Sequence, residues 1–235
     1  MTAAEDVRLP ELETAPKPLP VLETVTLISL GVAVLSLFLF AWIAENVSHD
    51  RTANFDHYVR MQIHEYASPG LTKAMIATSF LGGDGLTIAA ILAFVVFLYF
   101  HWRRATLWLV VTILGALVLD LTLKYAFHRA RPTPFFVNLP RTYSFPSGHA
   151  LFSFCFYGVL AGLLMGRVQS QLVRNIIWTA AAILVAAIGF SRIYLGVHYP
   201  SDVIAGYLAA SLWVSTLMAL DRLRVRRGKG LQQRP

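Results

Sequence analysis

The sequence predicts an all-α protein, a polytopic membrane helical bundle with about six transmembrane helices. Three observations carry that reading. The chain is 56% hydrophobic and only 14% charged over 235 residues, far more apolar than a soluble domain. Six apolar runs, Val25–Ala44, Leu86–Phe100, Ala105–Leu123, His149–Met165, Ile176–Phe190 and Val203–Leu220, approach the roughly 17 to 25 residues that a helix needs to cross ~30 Å of hydrocarbon. Basic residues also gather at alternate connections between the runs, as in multi-pass proteins.

Ahead of the first run, residues 1–20 hold four prolines and more acidic than basic side chains, which suits a flexible cytoplasmic tail. A removable signal peptide needs a positive leader, so the first run reads as a retained anchor. Between runs one and two, Phe55, Tyr58, Val59, Ile63, Tyr66, Leu71, Met75 and Ile76 recur at near-helical spacing, predicting an interfacial helical segment within residues 45–84. "LGGDG" at 81–85 then breaks the chain, with Asp84 as a helix N-cap. Gly158, Gly162 and Gly166 in the fourth run repeat a small-x3-small pattern that predicts close helix packing. The lone cysteine, Cys155, lies in that run and excludes an intrachain disulfide.

Arg103 and Arg104 join runs two and three, Arg167 and Arg174 join four and five, and Arg222, Arg224, Arg226, Arg227 and Lys229 follow the last. These segments read as cytoplasmic, with both termini inside, so that residues 45–84, 124–148 and 191–202 face outward. A single membrane-embedded domain is expected over 21–222, followed by a basic cytoplasmic tail over 223–235. The net charge of +7 raises nucleic-acid binding, but the basic tail has no stacking aromatics and suits an anionic lipid surface instead. Lys124, Arg129, Arg131, Arg141 and Arg192 run against the charge rule on the outward side, a conflict resolved if they are kept for chemistry.

Three polar clusters occupy the outward ends of runs three to six. "KYAFHRARP" supplies Lys124 and Arg131, "PSGH" supplies Ser147, Gly148 and His149, and "SRIYLGVHYPSD" supplies Arg192, His198 and Asp202. Each alone has a plain structural explanation in snorkelling cations, a helix start and a surface ion pair. Together they place three cations and the bare N–H groups of a helix start on one membrane face, which describes an oxyanion site suited to a phosphoryl group. Asp202, four residues after His198, can fix its tautomer and leave the other ring nitrogen free to attack phosphorus, while His149 protonates the leaving oxygen. A divalent metal, the competing use for two histidines and an aspartate, is repelled by the three cations, so no metal or cofactor is expected. Asp120, one helical turn before Lys124, reads as its ion-pair partner, and His128 and Arg129 are expected at the site rim. His49, His57, His64 and His101 read as interfacial or loop residues.

The pattern Lys-x6-Arg-Pro, Pro-Ser-Gly-His and Ser-Arg-x5-His-x3-Asp, complete over residues 124–202, resembles the signature of the type 2 phosphatidic acid phosphatase superfamily. That superfamily includes vanadium haloperoxidases and bacterial acid phosphatases. The six-run layout is most similar to bacterial membrane lipid phosphatases of the phosphatidylglycerophosphatase B and undecaprenyl pyrophosphate phosphatase kind. The resemblance implies an acid phosphatase/vanadium haloperoxidase-like core. It implies phosphate binding by Lys124, Arg131, Ser147, Gly148 and Arg192, general acid catalysis by His149, and a phosphohistidine at His198 oriented by Asp202. It implies a metal-independent enzyme of the bacterial cytoplasmic (inner) membrane, with its site facing the periplasm or exterior and a membrane lipid phosphate as its partner in the bilayer. The same intermediate serves a hydrolase or a lipid phosphotransferase. A non-enzymatic transporter or scaffold for anionic lipids needs the cations but not His149, His198 and Asp202 together.

Overall fold

A computed structural model of the protein describes residues 21–138 and 141–232. The tail expected over residues 1–20 lies outside the described residues. In chain order the helices are α1 (Val21–Ser48), α2 (Ala53–Glu65), α3 (Pro69–Phe80), α4 (Asp84–Tyr99), α5 (Arg103–Phe127), α6 (Gly148–Ser153), a π-helical turn (Phe154–Gly158), α7 (Val159–Met165), α8 (Gln171–Tyr194) and α9 (Pro200–Gln232). Six segments among the described residues are long and apolar enough to span a membrane: Thr24–Ser48, Pro69–Tyr99, Arg103–Phe127, Gly148–Met165, Gln171–Tyr194 and Pro200–Arg224. Each apolar run of the sequence maps onto one of them. Exposed apolar side chains such as Leu27, Phe38, Ile91, Val118 and Ile183 cover the sides of the bundle, where hydrocarbon is the natural solvent.

The second segment begins well before the run that predicted it, because α3 is itself apolar and meets α4 across a turn at 81–83. The stretch expected as one interfacial unit is therefore two helices. Ser68 caps α3 by accepting from the Leu71 N–H at 3.3 Å, and Pro69 follows at the first helical position, where its missing N–H costs nothing. Asp84, expected as an N-cap, is instead the first residue of α4, behind Gly83. There its charge still favours the positive helix end. In α2 the exposed face carries Phe55, Tyr58 and Met61, while Asp56 and Arg60 are buried. Its buried face is thus charged, while its exposed surface mixes these apolar side chains with polar ones.

The close packing expected at Gly158 and Gly162 is not there: a methyl built on either meets nothing within 4 Å. A π-helical turn, Phe154–Gly158, widens the helix just ahead of these glycines, which then follow on the regular α7. Residues 223–232, expected in the basic tail, continue α9.

α1 lies along α9 and shares a 3.0 Å Ser36–Ser211 hydroxyl contact. Phe40 of α1 and Phe127 of α5 pack on the fully buried Phe145, with ring centroids at 5.8 and 4.9 Å, which anchors the segment leading into α6. At the opposite end, Arg104 pairs with Asp221 and the Arg167 guanidinium lies 3.4 Å from the Trp102 ring centroid. α9 approaches the start of α6 at Gly206, where a built methyl falls 2.6 Å from the Ser147 carbonyl oxygen. Gly206→Ala should therefore push the two helices apart and destabilise the protein by about 1–3 kcal/mol. A lowered Tm in detergent checks this; an unchanged Tm would show that the helices give way freely.

Candidate active site

The first cluster hangs from the C-terminal end of α5. Lys124 Nζ lies 2.7 Å from Asp120 Oδ2, one turn back on the same helix face, so the expected ion pair is formed. The helix stops at His128, which takes a left-handed conformation (φ 49°) and donates its N–H to the Lys124 carbonyl. The chain then carries Arg131 back over the site. Its Nε donates to the Thr142 carbonyl at 2.7 Å, one terminal nitrogen to the Thr142 hydroxyl at 2.9 Å and the Tyr143 carbonyl at 3.2 Å, and the other to the Val197 carbonyl at 2.9 Å.

The second cluster is the turn into α6. Ser147 is fully buried and extended, and its N–H donates to the Asp202 carbonyl at 2.9 Å, which locks the start of α6 to the start of α9. Its hydroxyl is buried without a hydrogen-bond partner. A methyl built on Gly148 lies 3.0 Å from Asp120 Oδ1 and 3.2 Å from Lys124 Nζ, so glycine gives the ion pair room at the start of α6. The His149 ring lies against the 82–83 turn, where methyls built on Gly82 and Gly83 come within 3.0 and 3.1 Å of it. The glycine pair lets that turn rest on the imidazole.

The third cluster joins α8 to α9. Arg192, buried at the end of α8, donates to the Ser79 hydroxyl of α3 and leaves its Nε without a partner. His198 Nε2 lies 3.0 Å from the same terminal nitrogen of Arg131 that reaches Val197, and its Nδ1 lies 3.3 Å from Asp202 Oδ2. A guanidinium can only donate, so Nε2 accepts and Nδ1 carries the proton toward the carboxylate. The lone pair is thus on Nε2. Asp202 Oδ2 also accepts from the Ser144 hydroxyl at 2.5 Å and the Tyr199 N–H at 2.9 Å.

Lys124, Arg131, Gly148, His149, Arg192 and His198 line one cavity of ≈ 700 Å³, with Asp84 and Asp120 beside them. Ser147 and Asp202 stand behind its wall. From this polar head the cavity runs between α4 and α5 along Ala90, Ile91, Phe94, Val110, Ile113, Leu114 and Leu117, with Phe152 from α6. Among the described residues, no group of three or more His, Cys, Asp or Glu is placed to hold a metal ion.

Sequence reasoning placed Arg129 at the rim, and the structure corrects this. Arg129 is largely buried behind the site, with one terminal nitrogen 2.6 Å from Asp202 Oδ1 and the other 2.8 Å from Asp56 Oδ2. Ser144 and Ser79 were also missed. Asp56 and Arg60 stand at i, i+4 spacing on the face of α2 opposite its aromatics, a legible pattern whose partners were not.

A cavity with a cationic head and an apolar tail, set among helices long and apolar enough to span a membrane, is the kind of site that takes a phosphorylated lipid. The chain belongs to the PAP2 superfamily, whose family model matches residues 105–226. It is 26% identical over 176 residues to phosphatidylglycerophosphatase B of Bacillus subtilis, covering 74% of this chain and 87% of that protein. It is 36% identical over 122 residues to the undecaprenyl-diphosphatase of Sulfolobus acidocaldarius, covering 49% of this chain and 54% of that relative, about half of each. The fold matches the crystal structure of a transmembrane PAP2 type phosphatidylglycerolphosphate phosphatase from Bacillus subtilis, with a TM-score of 0.74 and 22% identity over 82% of this chain and 96% of that one.

Burial pushes the His198 imidazole down to about 4 from its ordinary 6.5; Asp202 opposes the fall, and Arg131 and Arg192 add to it. A folded value below the unfolded one means that the unfolded chain takes the proton first. The contribution of neutral His198 to stability is complete above about 6.5 and is lost as the pH falls toward about 4. Histidine-selective NMR of the solubilised protein, with His198→Gln to assign the signal, should show a midpoint well below 6.5. A midpoint at or above that value would contradict the burial.

Proposed function

We propose that this PAP2 lipid phosphatase removes the terminal phosphate of a lipid phosphate or pyrophosphate at the outer face of the bacterial cytoplasmic (inner) membrane, through a phosphohistidine on His198. The observation that carries the reading is the single cavity whose head is cationic and whose walls are apolar and continuous with the bilayer-facing sides of α4 and α5. A lipid enters sideways between these helices, its chains against Ile91, Phe94, Leu114 and Leu117 and its phosphate among Lys124, Arg131 and Arg192.

In the proposed chemistry the Gly148 N–H donates to a phosphoryl oxygen, Ser147 behind the wall holds the start of α6 in place, and the three cations neutralise the charge that builds in the transition state. His198 Nε2 attacks phosphorus while the bond to the leaving oxygen breaks, and His149 passes its proton to that oxygen. His149, now neutral, takes a proton from water. The resulting hydroxide opens the phosphorus–nitrogen bond, releases inorganic phosphate and restores both imidazoles. Asp202 stabilises the imidazolium character that develops on His198. No step calls on a metal or cofactor.

Recognition by charge and backbone donors reads phosphate rather than the alcohol behind it, so several lipids fit. Phosphatidylglycerol phosphate and undecaprenyl pyrophosphate are the leading physiological candidates. The outward orientation rests on the basic connections at Arg103, Arg104, Arg167 and Arg174, all at the far end of the bundle from the site.

Rapid quenching with phosphorus-labelled lipid should leave label on the protein that survives alkali and is lost in acid. His198→Ala and His198→Gln should abolish it, and Asp202→Asn should lower turnover by a factor on the order of 10²–10⁴. Label persisting in both His198 variants would remove His198 as the nucleophile.

Right-side-out membrane vesicles, assayed with EDTA present, should hydrolyse the two candidate lipids and phosphatidic acid far faster than a water-soluble phosphate ester. A soluble ester cleaved equally well would defeat lateral entry. Activity confined to inverted vesicles would reverse the orientation, and activity lost to EDTA but restored by magnesium would overturn the metal-free chemistry.

A further inference from the structure

Asp202 and Asp56 are both buried without exposed surface, and one guanidinium lies between them. Arg129 turns one terminal nitrogen to Asp202 Oδ1 at 2.6 Å and to the Ser201 hydroxyl at 2.8 Å. Its other terminal nitrogen meets Asp56 Oδ2 at 2.8 Å and the Thr52 hydroxyl at 3.3 Å. Asp56 in turn accepts from the Ser201 N–H at 2.9 Å and the Ser201 hydroxyl at 2.7 Å, so it also caps the first turn of α9, which carries Asp202. The Tyr199 ring lies 4.1 Å from the guanidinium and screens it. Asp202 Oδ2 is committed to His198, Ser144 and the Tyr199 N–H, and Oδ1 to Arg129.

We propose that Asp56 and Arg129 are positioning residues of the reaction, forming with Asp202 a carboxylate–guanidinium–carboxylate bridge that keeps Asp202 ionised and aimed at His198. The inference rests on the reading of His198 as the nucleophile, and it adds α2 and the residue after the α5 cap to the machinery. Neither Asp56 nor Arg129 lines the cavity, so neither touches the phosphoryl group. Their effect passes through Asp202 and the first turn of α9 that carries it.

The bridge rests on geometry and charge balance together. Two buried carboxylates this close cannot both stay ionised unless a cation sits between them. Burial alone would lower Arg129, yet Asp202 and Asp56 on either side hold it above its ordinary value. The charged and titratable groups that face the bridge are Asp56 and Arg60 from α2, Arg131 from the segment after α5, and His198 and Tyr199 ahead of α9. Lys124 from α5 and His149 from α6 face His198 across the cavity. Arg60 is committed to the Thr133 carbonyl at 2.9 Å and the Gly196 carbonyl at 3.4 Å, and Arg131 to the acceptors already named, so neither replaces Arg129 at Asp202 Oδ1.

The test compares kcat, KM and the pH profile of full-length solubilised protein carrying Arg129→Met, Arg129→Lys, Asp56→Asn, or Arg129→Met with Asp56→Asn, each checked for folding by its Tm. Arg129→Met should lower kcat about 10–100-fold with little change in KM, and should move the acid limb of activity to higher pH, because Asp202 then shares one proton with Asp56. Adding Asp56→Asn removes the competing carboxylate and should restore kcat by about tenfold over Arg129→Met alone. Arg129→Lys keeps the charge and loses the fork, so its kcat should fall while its acid limb stays in place; this variant carries the test if Arg129→Met fails to fold. A merely structural clamp predicts the reverse for the double variant, which would lose more than either single change. A double variant no faster than Arg129→Met, or an acid limb that moves in Arg129→Lys, overturns the bridge. Failure of the underlying reading shows elsewhere, as wild-type protein that carries no label at His198.

Discussion

Asp202 is a carboxylate with no exposed surface, placed where a helix enters a bundle whose sides face hydrocarbon. A charge so placed persists only if its lone pairs are occupied by donors, since desolvation otherwise costs several kcal/mol. Much of the site end of the bundle follows from that constraint. One oxygen draws in Ser144, the Tyr199 N–H and His198, and the other draws in Arg129. Because Arg129 needs a second anion, α2 is held over the site by Asp56. Segments far apart in the chain are thereby fastened to the first turn of α9.

The transmembrane helices do different work. α5 carries the Asp120–Lys124 pair near its C-terminal end and apolar cavity wall before it, so a single helix sets where a charged head and an apolar tail part company. α1 contributes no side chain to the cavity; it lies along α9 and, through Phe40, presses on Phe145 just ahead of α6. α3 contributes Ser79 to Arg192, and the turn into α4 rests on His149. The cavity residues are thus held by α3 and α4 on one side and, through Asp202, by α2 on another.

Much of this was legible in the sequence, for reasons that also mark its limits. The spans could be read because hydrocarbon selects for apolar length, and only the second was badly bounded, since an apolar α3 precedes it without a polar break. The three clusters could be read because each is a short local string, and the structure brings six of their eight candidate residues to one cavity wall with Ser147 and Asp202 behind. The Asp120–Lys124 pair was legible because helical spacing alone fixes it. Arg129 was misplaced because its partners lie 73 residues away on either side, and no local pattern separates a buried arginine from one at a rim. Asp56 was passed over because α2 was read for its apolar residues, while in a protein solvated by lipid the informative face is the charged one. The glycines of the fourth span misled because a small-residue spacing is local, whereas whether another helix lies against it is not, and none comes within 4 Å of a methyl built on Gly158 or Gly162.

Arg131 carries one further implication. A guanidinium has five N–H groups, and here each has a protein acceptor: the Thr142 carbonyl and hydroxyl, the Tyr143 and Val197 carbonyls, and His198 Nε2. A phosphoryl oxygen gains a hydrogen bond from Arg131 only by taking one over from the protein. In the reaction proposed above, the bond that must be released is the one to Nε2, because the lone pair it occupies is the one that would attack. On that proposal, unmasking the nucleophile and freeing a donor for the incoming oxygen are one exchange, and an anion too small or too distant to accept from Arg131 would leave His198 latched.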